Sequence, residues 1–217
     1  MVSFKRFIHK WAWLLLIAFC TIGLVNPVIG IAALVCMLAP SIVAVFRGRM
    51  WCGNFCPRGS FNDNILSKIS LKKGIPKFMR SRLFRNLFLI ILMSAFVIQL
   101  TLAWGNMVKI GEVFVRMILI TTAITIILGI IYNQRTWCVF CPMGTMAYYV
   151  TKIKAGFKIK HITFKKDKCK NCKLCTKTCP MGIDVLSYKN EGKVTDPNCL
   201  KCNACTDKCP KNALCEV

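Results

Sequence analysis

The sequence predicts an α-helical membrane domain of four transmembrane helices, arranged as two tandem parallel hairpin repeats, followed by a small α+β domain. Three observations carry this prediction. Four apolar stretches are long enough to cross a bilayer, a cysteine motif recurs behind the second and the fourth, and cysteines recur at fixed spacing in a polar C-terminal segment. The 217 residues divide accordingly into 1–156 and 157–217. A 55% hydrophobic content excludes an ordinary soluble enzyme. The net charge of +23 would suit nucleic acid, but the Lys and Arg residues flank apolar runs, so no nucleic-acid partner is expected and membrane lipid is.

From Trp11 to Phe46 there is no charge. One helix of that length would measure about 54 Å against a hydrocarbon core of about 30 Å, so the chain must fold back. Asn26-Pro27 supplies the break, giving spans near Trp11 to Val25 and Val28 to Phe46. A segment from Arg47 to Arg85 follows with ten Lys/Arg and a single acid, Asp63. Two further spans are expected near Leu87 to Trp104 and Val113 to Tyr132, joined by a loop containing Lys109. Basic residues crowd the same side of all four spans, and the positive-inside rule then puts the N- and C-termini in the cytoplasm of a multi-pass protein.

Fifteen cysteines must serve disulfides or metal, and their spacing selects metal in a reducing compartment. Cys169, Cys172, Cys175 and Cys179-Pro180 form a C-x2-C-x2-C-x3-C-P run, repeated thirty residues on by Cys199, Cys202, Cys205 and Cys209-Pro210. Such runs let three thiolates of one loop reach three irons of a cubane, while the fourth cysteine ligates the other cluster. Cys169, Cys172, Cys175 and Cys209 are therefore expected on one 4Fe-4S cluster, and Cys199, Cys202, Cys205 and Cys179 on a second. This part resembles bacterial two-cluster ferredoxins. Zinc, the competing reading, usually pairs C-x2-C with a distant second pair. Lys165, Lys166, Lys168, Lys170, Lys173 and Lys177 crowd the first run, as suits either anionic lipid or an acidic redox partner.

The membrane part carries its own cysteines. Arg49-Met50-Trp51-Cys52 and Phe55-Cys56-Pro57-Arg58-Gly59-Ser60 return as Arg135-Thr136-Trp137-Cys138 and Phe140-Cys141-Pro142-Met143-Gly144-Thr145. Each copy follows an even-numbered span and precedes an amphipathic stretch. Two such repeats bring Cys52, Cys56, Cys138 and Cys141 to one surface, enough for a third 4Fe-4S cluster, with Arg49 and Arg135 offsetting its charge. A zinc site, a dithiol-disulfide switch or inert thiol pairs would use the same residues. His9 and His161 read as interfacial side chains, and Cys20, Cys36 and Cys215 are left over.

On these motifs the chain resembles the NapH, NosR and CcoG group of membrane iron-sulfur proteins, although Cys138 and Cys141 stand one residue closer than that group's usual spacing. The resemblance implies a bacterial or archaeal cytoplasmic membrane and an electron-transfer subunit of an oxidoreductase complex rather than a stand-alone enzyme. It implies electron passage between a cytoplasmic redox protein, such as an acidic ferredoxin or flavodoxin, and a membrane quinone or an FMN-bearing subunit. Two other functions stay open: an assembly factor that reduces metal ions or thiols for a respiratory enzyme, and a simple membrane-tethered ferredoxin. No catalytic residue is expected.

Overall fold

The computed structural model describes residues 2–153 and 161–216. The expected domain boundary between 156 and 157 lies outside the described residues. Helix α1 covers Val2–Val25, and a 3-10 turn over Pro27–Ala32 leads into α2, Ala33–Arg47. Asn26 sits in extended backbone before Pro27, so the chain breaks where proline removes an amide donor. Short helices α3 (Met50–Asn54) and α4 (Pro57–Phe61) hold the first cysteine motif, followed by a π-helical turn over Asn62–Leu66, then α5 (Ser67–Ile69) and α6 (Lys77–Arg80). Helices α7 (Arg82–Leu102) and α8 (Met107–Ile131) form the second long pair; α9 (Thr136–Phe140) and α10 (Pro142–Ile153) carry the second motif.

Four helices are long and apolar enough to cross a membrane: Lys5–Val25, Pro27–Arg47, Arg82–Leu102 and Met107–Ile131. Their outward faces are apolar, as in Leu15, Leu38, Ile90 and Ile127, which suits contact with lipid. The fourth begins earlier than the sequence suggests, taking in Lys109 and Glu112. The reason is a cap: the Asn106 side chain accepts from the Val108 and Lys109 amides, a contact of about 1 kcal/mol that starts the helix at Met107. The two pairs meet where backbone crosses backbone. A Cβ on Gly30 would collide with the Gly111 carbonyl, and one on Gly111 with the Pro27 carbonyl, so small residues set this crossing.

On the other side of the motifs lies the C-terminal module. Strands β1 (Ile162–Phe164) and β2 (Leu214–Glu216) pair antiparallel, with Thr163 opposite Cys215. Two single-turn helices, α11 (Leu174–Thr178) and α12 (Ala204–Asp207), pack on each other. The module shares one apolar core with the second motif: Ile162, Met181, Val194 and Leu200 are buried together with Trp137, Val139 and Phe140. Polar contacts finish the docking. Asn54 Nδ2 donates to the Lys201 carbonyl at 3.2 Å, Arg80 Nη2 to the Gly182 carbonyl at 2.9 Å, and Arg85 Nη1 to Asn198 Oδ1 at 3.1 Å.

Candidate iron-sulfur centres

The two C-terminal cysteine runs fold into matching loops. Asn171 and Lys173 flank Cys172 at φ +54° and +58°, and Lys201 and Asn203 flank Cys202 at +52° and +62°. Left-handed conformation is costly for residues with a Cβ, and here it occurs four times at corresponding places. Its effect is to turn successive amide N–H groups toward one side, the concave arrangement that receives anionic oxygen or sulfide. The correspondence extends past the fourth cysteines, where Gly182 and Asn212 are also left-handed, at +62° and +47°. Ala213 donates its amide to Cys209 Sγ at 3.3 Å.

These loops exchange their fourth cysteines. One cavity is lined by Cys169, Cys172, Cys175 and Cys209, and another by Cys199, Cys202, Cys205 and Cys179. The grouping follows the crossed sets expected from spacing. Among the described residues no three His, Cys, Asp or Glu side chains converge as a single metal ion requires; each set surrounds a space instead. Burial, followed by the neighbouring Cys202 and Cys205 thiolates, pushes the Cys199 thiol up to about 12. Burial and the nearby Cys202 and Cys179 do the same to Cys205. Four thiolates at such a place are stable only with positive charge among them, which iron supplies, so the donor set fits an iron-sulfur cluster.

The helical motifs form the third group. Cys138 is buried, whereas Cys52, Cys56 and Cys141 are partly buried. They are electrostatic neighbours: Cys52 is raised by burial and then by Cys141 and Cys138, and Cys56 is pushed up to about 12 by burial and by Cys52. The two motifs interlock through their arginines, both almost fully buried. Arg49 Nη2 donates to the Cys138 carbonyl at 2.7 Å, and Arg135 Nη1 to the Cys52 carbonyl at 2.8 Å. Each arginine thus reaches across to the other copy. Space for them exists because the motif glycines lack a Cβ: one on Gly144 would stand 2.6 Å from Arg49 Nη2, and one on Gly59 2.8 Å from Arg135 Nη1. Arg135 Nη1 also lies 3.6 Å from Cys138 Sγ.

Within the two motifs several buried donors lack a protein partner: the indole Nε1 of Trp51 and Trp137, and Arg49 Nε. Orphaned donors beside cysteines fit a group that brings sulfide acceptors. Trp137 and Phe140 pack edge-on with Phe88, and Phe84 joins Phe140, closing the site to water on that side.

One part of the site was not read from the sequence. Asp63 receives Arg135 Nε at 2.8 Å and also Arg135 Nη2, and stands 3.0 Å from His9 Nε2. Burial raises the Asp63 carboxyl, but the Arg135 guanidinium and the His9 ring outweigh it and hold the acid well below the usual carboxylate range. Burial alone would lower Arg135, and Asp63 with Cys138 reverses this. His9, read from the sequence as an interfacial side chain, thus contacts Asp63. His161 bonds the Val194 carbonyl through Nδ1 at 3.0 Å. The signal for the network was present: Asp63 is the lone acid among ten Lys and Arg.

The apolar face expected on α10 points outward. Met146 and Ile153 are exposed, while Gly144, Thr145, Ala147 and Tyr148 face the protein, an arrangement suited to a helix lying at a lipid surface.

Comparison with known proteins agrees with this division. Residues 29–76 and 115–160 each match a 4Fe-4S binding domain family, and residues 168–214 match a 4Fe-4S dicluster domain family. The chain is 28% identical to the uncharacterized protein MJ0749 of Methanocaldococcus jannaschii, over 85% of this chain and 70% of that one. It is 24% identical to MJ0750 of the same organism, over 98% and 92%. The polyferredoxin protein MvhB of Methanothermus fervidus is 36% identical over 55 residues, 25% of this chain and 13% of the polyferredoxin. No solved structure matches. The chain is an iron-sulfur protein with ferredoxin-type, electron-transfer 4Fe-4S domains, and four of its helices are fit to cross a membrane.

Proposed function

We propose that the chain is a membrane-bound electron relay with three 4Fe-4S clusters, two in the C-terminal module and one shared between the helical motifs. The ligands are Cys169, Cys172, Cys175 and Cys209 for the outer cluster and Cys199, Cys202, Cys205 and Cys179 for the middle one. Cys52, Cys56, Cys138 and Cys141 hold the innermost, at the membrane surface. When bound, each cluster takes up and releases one electron, so three in file connect a soluble protein with the membrane. The observation that carries this reading is the reciprocal bond of Arg49 and Arg135 to the Cys138 and Cys52 carbonyls, which ties the two cysteine motifs to each other. That reciprocity also supports two tandem hairpin repeats related by a twofold along the membrane normal.

The order of the clusters has support from neighbouring charges. Cys202 of the middle set lies near Arg135 and Asp63, and Cys205 lies near Cys175 of the outer set. The chain's own residues exclude water with Trp137 and Phe140, hold positive charge by the inner thiolates with Arg49 and Arg135, and present six exposed lysines around the outer set. Those lysines suit an acidic ferredoxin or flavodoxin as the soluble partner, and the inner end faces a quinone or an FMN-bearing subunit. Both termini lie on the cytoplasmic side of a bacterial or archaeal membrane in this reading. The close pairing of Arg6 with Asp207, two residues before the fourth ligand of the outer set, supports a common side for the start of α1 and the module.

The test is electron transfer in the full chain, purified without oxygen and placed in lipid nanodiscs. A reduced low-potential carrier should pass electrons through it to a quinone analogue, and Cys52→Ser or Cys56→Ser should abolish this while the C-terminal clusters still become reduced. Undiminished transfer in both variants would leave only a tethered ferredoxin.

A further inference from the structure

A third cavity, of about 420 Å³, lies where the C-terminal module meets the helical part. Its walls come from both: Arg80, Arg85 and Val139 on one side, and Met181, Tyr188 and Asn198 on the other. That volume is in the range of small-molecule sites, roughly 300–1,000 Å³. Arg85 is only 5% exposed, and its guanidinium lies 4.2 Å over the Tyr148 ring. It has one protein partner, Asn198 Oδ1 at 3.1 Å, while Nε and Nη2 are buried with none. The same amide oxygen also faces Arg49 Nη1, at 3.4 Å. Two buried guanidinium groups therefore share one neutral acceptor.

Such an arrangement is unfavourable unless an anion completes it. The carboxylates in the wall are only partly available: Asp184 accepts from Thr176 at 2.9 Å, and Asp196, whose charge acts on Arg85, spends Oδ1 on the backbone and side-chain nitrogens of Asn198. Arg80 stands at the mouth and uses only Nη2 on the Met181 and Gly182 carbonyls. Planar guanidinium forks match oxoanions, and the convergence of two of them with the Tyr188 phenol favours a doubly charged phosphate over a singly charged carboxylate. We propose that this cleft binds a phosphate-bearing ligand, with the phosphate on Arg85 and Arg80. The remaining volume holds the rest of that ligand. Val139 lies between Cys138 and Cys141, and Met181 follows Cys179, so an occupant would brace the junction between the inner and middle cysteine sets.

The probe is inorganic phosphate, titrated calorimetrically into the detergent-solubilised full chain carrying its clusters, with phosphatidic acid in nanodiscs, against phosphatidylcholine, as a second arm. Saturable binding of phosphate in detergent supports a soluble ligand, and binding confined to phosphatidic acid supports a lipid headgroup. In either arm Arg85→Gln should weaken binding on the order of 10- to 100-fold. Arg85→Lys, which keeps the charge over Tyr148 but not the fork, should fall between. Arg80→Gln, at an exposed position that also holds the Met181 and Gly182 carbonyls, should weaken binding several-fold; unchanged visible absorption and iron content check the fold of all three. No saturable binding in either arm overturns the proposal, as does equal affinity in wild type, Arg80→Gln and Arg85→Gln.

Discussion

Asp63 and Arg135 illustrate how much a single buried contact can decide. Arg135 is fully buried, holds the Cys52 carbonyl and approaches Cys138 Sγ, and Asp63 balances its charge. Replacing Asp63 by Asn leaves that guanidinium uncompensated, at a cost of about 3–5 kcal/mol. The sign of the pH dependence follows from the depressed acid. As pH falls, the unfolded chain takes up the Asp63 proton first, so the network's contribution is complete above about pH 4 and is lost as pH drops through the folded value. Thermal unfolding should accordingly show Asp63→Asn far less stable than wild type at pH 7, with the gap narrowing as pH falls below about 4. A gap of constant size would contradict this. The cysteines give a second prediction at this scale. In cluster-free protein at pH 8, iodoacetamide should modify exposed Cys172 well before Cys56, whose thiol is pushed up to about 12 by burial, because the thiolate is the reacting form.

Among the elements, α3 is the hinge of the architecture. It bears Cys52, and its Gly53 meets the module so closely that a Cβ there would collide with the Leu200 carbonyl, next to Cys199. Gly53→Ala should therefore loosen the module from the helical part. Limited proteolysis should cut the variant between the domains faster than wild type while iron in the C-terminal module is retained; equal rates would show that the contact does not hold the docking. At this scale the sequence was readable where local rules dominate. Apolar length gave four spans and Asn26-Pro27 gave the break, while the cysteines grouped from the two runs line one cavity each. What stayed hidden depends on distant pairs. Nothing near Arg49 in sequence indicates that it will bond a carbonyl 89 positions away, or that Arg85 will meet Asn198. The apolar side of α10 was visible as periodicity, and Met146 and Ile153 on it are exposed in this chain.

Across the whole molecule, charge and burial form a gradient from the exposed lysines and Cys172, through the middle set, to the buried Arg49, Arg135 and Trp137 beneath. A soluble acidic carrier guided by those lysines should reduce the protein more slowly as salt rises, since exposed charges are screened beyond about 10 Å at 0.1 M. Stopped-flow reduction should show that slope, flattened when Lys170, Lys173 and Lys177 are replaced by Gln; a salt-independent rate would remove the lysine face from the docking surface. The central claim is that the helical motifs share a cluster, and iron with acid-labile sulfide per chain tests it most directly. Anaerobically purified wild type should contain about twelve of each and Cys52→Ser about eight. About eight in both would contradict the account.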